Sequence, residues 1–315
     1  MALVCMTGVP ASSALAQTYP DRPIRMLVGF TPGGGTDQVA RVVSIRISEN
    51  LGQQIVIDNR PGAGGNIAAE IAAKAPPDGY TLIMVSGSFT INPSLHKKLQ
   101  YDPIKDFAPV AQVAFSQYIL TVARGIPASS VRELIALAKA KPGQLNYASA
   151  GNGSPPHLAT ELLKSMTGVD MVHVPFKGTA PLMTALLGGE VQVTFANMGG
   201  ALPHIRAGKL RALGVSGARR SPAAPEVPTV AEAGLPGFEA TGWYGVLAPA
   251  GTPQAIVMRL SQEISRAMES RDVRERLAAE GLEFAPSSPK MFAAYIREEI
   301  GKWAKVVRFA GMKVD

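Results

Sequence analysis

Cysteine is nearly absent from this chain. Its 315 residues include one, Cys5, and the first sixteen residues read as a processing segment. Met1–Ala16 carries no charge, and Ala14-Leu15-Ala16 fits the small-x-small pattern of a signal-peptidase site. A secretory leader ordinarily opens with basic residues, so either the start lies upstream of Met1 or the leader is atypical. Cleavage after Ala16 leaves no cysteine. That excludes a disulfide framework, a thiol nucleophile and a cysteine-ligated metal. Val4, which precedes Cys5, is not the small residue of a lipid-anchoring site. Histidine is also scarce. His96, His157, His173 and His204 are the four, and no two of them stand at metal-binding helical spacing. No apolar run reaches the ~18–20 residues that span a bilayer. The net charge is +7, but the basic residues are scattered, with no basic stripe interleaved with aromatics, so a nucleic-acid partner is not expected.

What is present is an alternation of strand and helix patterns, which predicts an α/β fold with largely parallel sheets flanked by helices. Ile24–Phe30 reads as a strand and Asp37–Leu51 as a helix with Val39, Val42, Val43, Ile47 and Leu51 on one face. Gln54–Asp58, Tyr80–Val85, Leu145–Ala148, Val172–Val174, Val191–Phe195 and Leu210–Val215 read as further strands. Ser130-Val131-Arg132-Glu133 has capping-box spacing. Ser154 is placed to cap a helix opening with Pro155 and ending at Gly168. Ser221–Gly237 reads as a surface loop, and Ser288-Pro289 opens a last helix. Hydrophobic residues make up 46% of the chain, enough for two cores. The expected division is residues 17–120 with 242–315 in one lobe and 121–241 in the other. Crossings near 118–122 and 239–246 would form a hinge.

Two strand-to-helix transitions carry the chemistry. Val28-Gly29-Phe30-Thr31-Pro32-Gly33-Gly34-Gly35-Thr36-Asp37 aims backbone N–H groups and a helix N-terminus at one point, which suits an anion. Asn146-Tyr147-Ala148-Ser149-Ala150-Gly151-Asn152-Gly153-Ser154-Pro155 repeats the layout. Four charge-assisted hydrogen bonds at ~1.5–3 kcal/mol each and two helix ends give roughly 7–16 kcal/mol before ordering costs. Micromolar binding needs about 8 kcal/mol. Asp37 reads equally as a helix cap or as a group orienting the loop and meeting a ligand donor. Asn197 reads equally as a turn residue or a cleft amide. His157 lies one turn into its helix, on the surface or near the cleft, and Lys177 is a solvated lysine or a carboxylate partner.

Other readings fit less well. Gly33-x-Gly35-x-x-Gln38 lacks the third glycine of a dinucleotide fingerprint. The run Asn152-Gly153-Ser154-Pro155-Pro156 lacks the Gly-x-Ser-x-Gly of a nucleophile elbow. An exported serine hydrolase using Ser154 and His157 is the alternative from another class.

In order along the chain, Tyr19-Pro20-Asp21-Arg22-Pro23-Ile24, Phe30–Asp37, Asn59-Arg60-Pro61-Gly62-Ala63-Gly64-Gly65-Asn66 and Pro77-Asp78-Gly79-Tyr80 resemble the Bug family of periplasmic solute-binding proteins of tripartite tricarboxylate transporters. Ile91-Asn92-Pro93-Ser94-Leu95, His173-Val174-Pro175-Phe176-Lys177-Gly178, Leu202–Leu213 and Pro228-Thr229-Val230-Ala231-Glu232 extend the resemblance over the whole mature chain. It implies a two-lobed, type II flytrap fold and a periplasmic monomer. That protein would hold a small di- or tricarboxylate, or another organic acid, for a membrane transporter or sensor, with no cofactor and no catalysis. It also implies the ligand-binding residues: Phe30, Gly34, Gly35, Asp37, Ser86 and Ser88 from the first lobe, and Ser149, Gly151, Ser154, His157, Gly178 and Asn197 from the second. Many relatives carry an acid before the asparagine; here the run is Phe195-Ala196-Asn197-Met198, so an amino-acid ligand is not expected.

Overall fold

A computed structural model describes residues 19–33, 35–96, 98–151, 153–176, 179–279, 281–284 and 287–312. The expected leader, Gly34, Lys177 and Gly178 lie outside these residues. Strands β1 (Ile24–Val28), β2 (Ile55–Asn59), β3 (Thr81–Ser86), β4 (Phe107–Ser116), β10 (Gly242–Pro249) and β11 (Leu282–Phe284) form one sheet in the order β11-β4-β10-β3-β1-β2. Strands β5 (Tyr118–Ala123), β6 (Asn146–Ser149), β7 (Val172–Pro175), β8 (Val193–Asn197) and β9 (Leu210–Val215) form a second, ordered β7-β6-β8-β5-β9. The β2-β1-β3 and β7-β6-β8 stretches are parallel. In each sheet the central strand that follows a crossing runs antiparallel to its neighbours: β10 between β3 and β4, and β5 between β8 and β9. Parallel central strands are covered on both faces, which is why β1 is apolar almost throughout.

Helices α1 (Gly35–Leu51), α8 (Gln254–Glu269) and α9 (Arg271–Ala279) cover one face of the first sheet, burying Val39, Val43, Ile47, Leu260 and Ile264 against Met26 and Val246. Helices α2 (Asn66–Ala73) and α3 (Ser88–Leu95) and the start of α10 (Pro289–Phe309) cover the other, around Phe89, Tyr101, Trp243 and Phe292. In the second unit, α4 (Val131–Ala140) and α5 (Pro155–Thr167) pack on one face, and α6 (Thr179–Gly188) and α7 (Met198–Arg206) on the other. Helix α10 serves both cores. Phe292 and Ile296 lie in the first, and Trp303, Val306 and Val307 in the second. An assignment of all of 242–315 to one lobe does not describe this helix.

The chain crosses from β4 to β5 through one residue, Gln117, and returns between β9 and β10. Ser216 ties the crossings together: its Oγ accepts from Tyr118 N, its N–H donates to Tyr118 O, and its carbonyl accepts from Ala240 N. The Ser221–Gly237 stretch is anchored more firmly than a surface loop, since Ala224 and Val230 are fully buried and Val215 bridges Thr229.

Local signals behave as their chemistry requires, with two departures. Ser130 Oγ accepts from Glu133 N, but the Glu133 carboxylate reaches past it to the N–H and hydroxyl of Ser129. Ser154 sits at the N-cap of α5 yet makes no side-chain cap bond; its Oγ donates to Gly151 O at 2.6 Å. The N2 position of α5 is Pro156, which has no N–H to give to a capping oxygen. Gly168 closes α5 in the left-handed region at φ 68°.

Backbone meets backbone just after β1. A Cβ on Gly29 would lie 2.6 Å from the Cα of Gly65. This approach seats the loop before α1 against the 3-10 turn Ala63–Gly65. Gly29→Ala therefore lowers stability by on the order of 1–3 kcal/mol, because neither backbone can yield. Gly301→Ala, on the open face of α10 with nothing nearby, raises it by roughly 0.5–1 kcal/mol. Urea unfolding of the two variants checks the contrast, and a neutral Gly29→Ala contradicts it.

Candidate functional site

A cavity of about 520 Å³ opens where the two sheets cross. Its first-unit wall is the loop before α1, the 3-10 turn, the β3–α3 junction and the start of β10. Its second-unit wall is Tyr118 at the start of β5 and the entry to α5. Phe30, Gly35, Ser86, Ser88 and Ser154 line it, as do Thr31, Thr36 and Gly153. Ser86 Oγ and Ser88 Oγ lie 3.1 Å apart. Whichever hydroxyl accepts keeps its own hydrogen for a third group. Gly35 opens α1, where unpaired N–H groups and the helix dipole favour an anion.

Asp37 is buried and does not line the cavity. Its carboxylate accepts from Gly33 N at 2.9 Å, Arg41 Nε at 2.8 Å and Asn59 Nδ2 at 2.9 Å. Burial alone would raise its pKa, but the Arg41 guanidinium and the Gly33 and Asn59 donors outweigh it and hold the carboxyl below its ordinary value. Its role here is to hold the glycine loop, with its charge answered by Arg41. Asn92 performs a similar service for the 3-10 turn on the same wall, donating from Nδ2 to Gly64 O and to Asn66 Oδ1.

The second glycine loop differs from the first. Ser149 is fully buried, and its Oγ meets Gly151 O at 3.0 Å, Gly151 N at 3.2 Å and His173 Nε2 at 2.6 Å. Gly153 N donates to His157 Nδ1 at 3.1 Å, and Ser154 N to Gly151 O. Pro155 and Pro156 have no N–H, and Leu158 N closes the first turn on Ser154 O. The Gly151, Gly153 and Ser154 amides are thus bonded within the loop, and the start of α5 meets the cavity with prolines rather than N–H groups. Ser149, Gly151 and His157 lie behind the wall as supports. Asn197 is exposed at the end of β8, outside the cavity, and caps no amide with its side chain.

The supporting histidines form a stack. The His157 and His173 rings lie 3.9 Å apart and nearly parallel, with Tyr147 4.9 Å from His173. Glu161 accepts from Tyr147 Oη and from Lys164 Nζ beneath them. The Ser154 hydroxyl points at a carbonyl and His157 Nδ1 accepts an amide hydrogen, so the two do not form the nucleophile–base pair of a hydrolase. No metal-binding group of three or more His, Cys, Asp or Glu occurs among the described residues.

Several wall residues carried no motif. Tyr244 places its hydroxyl 2.9 Å from where a Cβ on Gly35 would stand, which explains that glycine. Trp243 is 1% exposed, lines the cavity and has an indole N–H without a partner. A buried donor left unpaired is a standing cost to stability. Ile91, Asn92, Leu95, His96, Tyr118, Leu158 and Trp303 are also in the wall. Burial, with the Tyr244 phenol nearby, pushes the Tyr118 phenol upward, so it stays protonated at neutral pH.

Two open α/β sheets joined by short crossings, with a cavity at the junction and hydroxyls and a helix N-terminus at its mouth, define a periplasmic-binding-protein fold. The model of the tripartite tricarboxylate transporter family receptor matches residues 39–312, and the chain belongs to that family. Protein BugT of Bordetella pertussis is 40% identical over 306 residues, covering 96% of this chain and 94% of BugT. Among solved structures, R. palustris Rpa4515 with adipate is 40% identical with a TM-score of 0.78, covering 94% of this chain and all of that one. MatC of Rhodopseudomonas palustris with bound malate is 38% identical with a TM-score of 0.75, covering 92% of this chain and all of that one.

The histidine stack makes stability depend on pH. Burial first, then the His173 ring and the Lys164 ammonium, lowers the His157 pKa from 6.5 to about 3. The unfolded chain takes up a proton near 6.5 that the folded one refuses. Stability is therefore full above 6.5 and falls as pH drops towards 3. Melting temperatures should decline from pH 6.5 to roughly 5, before carboxylates titrate, and His157→Gln should flatten that slope. An unchanged slope in the variant contradicts this assignment.

Proposed function

We propose that this protein is an extracytoplasmic receptor. It captures a small organic carboxylate between its two sheet units, without transforming it, and presents the closed form to a tripartite transporter or a sensor in the periplasm. The observation that carries this reading is the cavity at the sheet crossing. It is walled by both units and bears the α1 N-terminus, the Ser86 and Ser88 hydroxyls and, on the second unit, the Tyr118 hydroxyl. Hydrogen bonds to a charged group contribute ~1.5–3 kcal/mol each. Three of these with one helix end supply roughly 5–11 kcal/mol, a range that includes the ~8 kcal/mol of micromolar affinity. The carboxylates held by Rpa4515 and MatC support the same chemistry. The single-residue crossing at Gln117 favours closure by hinge motion, and a ligand drives closure by touching both walls only when they are close.

A thermal-shift series on the ligand-free protein tests the reading. An organic acid at a hundred times its Kd should stabilise the fold by about 2.7 kcal/mol. The Ser86→Ala/Ser88→Ala double variant should keep its melting temperature and bind ten- to hundredfold more weakly. Stabilisation by neutral compounds and by no acid would sink the proposal.

A further inference from the structure

The turn at residues 62–65, whose Ala63 and Gly64 line the cavity, has a backbone its sequence does not fully favour. All four residues have positive φ. Three are glycines, which tolerate that region. The fourth, Ala63 at φ 46°, is the only non-glycine with a positive φ among the described residues. Strain of this kind persists where the surroundings over-determine it, and it gathers at binding sites. The hydrogen bonds of the turn show what it presents. Its carbonyls are spent: Gly62 O accepts from Gly65 N, Ala63 O from Asn66 N and Gly64 O from Asn92 Nδ2. The Ala63 and Gly64 amides have no partner among the described residues. Successive N–H groups left free by a turn suit an anion.

Asn92 of α3, which is 4% exposed, holds the turn. Both hydrogens of its Nδ2 are committed, one to Gly64 O at 3.1 Å and one to Asn66 Oδ1 at 2.6 Å. Because a backbone carbonyl can only accept, the side-chain amide is fixed with its nitrogen towards the turn. Tyr101 Oη donates to the same Asn66 Oδ1 at 2.7 Å, and burial pushes that phenol up to about 12, so it remains a donor. A Cβ on Gly64 would stand 3.2 Å from Asn92 Oδ1, so the side chain and the turn are in contact. Gly64, Ser86, Ser88 and Asn92 border one narrow crevice, which sets the turn beside the two hydroxyls. Tyr101 borders this crevice and does not line the cavity. We propose that Asn92 is a positioning residue. It holds the Ala63 and Gly64 amides at the cavity, where they join Ser86 and Ser88 in gripping the ligand's carboxylate; this rests on the carboxylate reading above. Asn92 acts through the turn and not by donating to the ligand, since its Nδ2 has no hydrogen left to give.

The experiment titrates the ligand-free full chain with adipate, malate, citrate and benzoate by calorimetry, well below the melting temperature, and carries forward the acid bound most tightly. Asn92→Leu keeps nearly the same shape, adds no charge and removes both donors. It should weaken that acid about tenfold or more. In wild type, the Ala63 and Gly64 amide proton resonances should move downfield as the acid saturates the protein; in Asn92→Leu they should not. A merely structural role would lower the melting temperature and leave the Kd and the amide shifts as they are. Should Asn92→Leu not fold, Tyr101→Phe takes its place, with about threefold weakening expected. A folded Asn92→Leu, or its substitute, that binds as tightly as wild type overturns the proposal and leaves carboxylate capture standing. Wild-type Ala63 and Gly64 amides that stay unmoved at saturation do the same. Weaker binding with the amide shifts intact also overturns it, since Asn92 would then meet the ligand itself. Failure of every acid to bind overturns capture and this proposal together.

Discussion

Insertion of β10 between β3 and β4 is the constraint on which the site depends. This strand returns from the second unit and enters the middle of the first sheet, pairing Tyr244 with Ser86. Because side chains alternate along a strand, Trp243 and Tyr244 go to opposite faces. Trp243 packs edge-on against Phe292, with its N–H beside Gly87, and Tyr244 turns towards Gly35. One pairing register thus places two aromatic groups, two serines and a helix start around the same space. A slip of one residue would exchange the two faces and dismantle the mouth.

The two glycine loops look alike as sequence and act differently as structure. The first is braced from behind by Asp37, whose carboxylate takes up Gly33 N and is neutralised by Arg41, leaving the front of α1 to a guest. The second is braced by Ser149 and the His157–His173 stack, and that bracing takes up the Gly151 and Gly153 amides. Rigidity is gained in both, but the first leaves a helix start open to the cavity while the second opens on two prolines. The supporting histidine is held neutral by burial, so near neutral pH it can accept from Gly153 without bringing a charge to the cavity wall.

Much of the fold was legible because its central strands are buried on both faces and read as continuous apolar runs. β9 matches its expected span, and β1, β3, β6 and β8 depart from theirs by one or two residues. β4 escaped notice because Pro109 interrupts it. That proline is tolerated because the three-residue β11 pairs only with the far end of β4, leaving an open edge beside Pro109. Helix α3 was hidden by its eight-residue length and by Pro93 inside it. At the site, the polar mouth could be read from a local motif, a strand running into glycines and a helix. The rest of the wall could not, since Leu95, Leu158 and Trp303 are distant in sequence and meet only because α10 runs across both units. Pro155-Pro156 marks a helix start, but it also removes the amides that would make that start an anion site.

A crystal structure of the protein with a bound organic acid tests the central claim most directly. The account predicts the carboxylate within hydrogen-bond distance of Ser86, Ser88 and the Gly35 end of α1, with the rest of the molecule enclosed by both sheet units. A carboxylate seated instead on the Ser149–Ser154 loop, or an acid bound outside the sheet crossing, would contradict it.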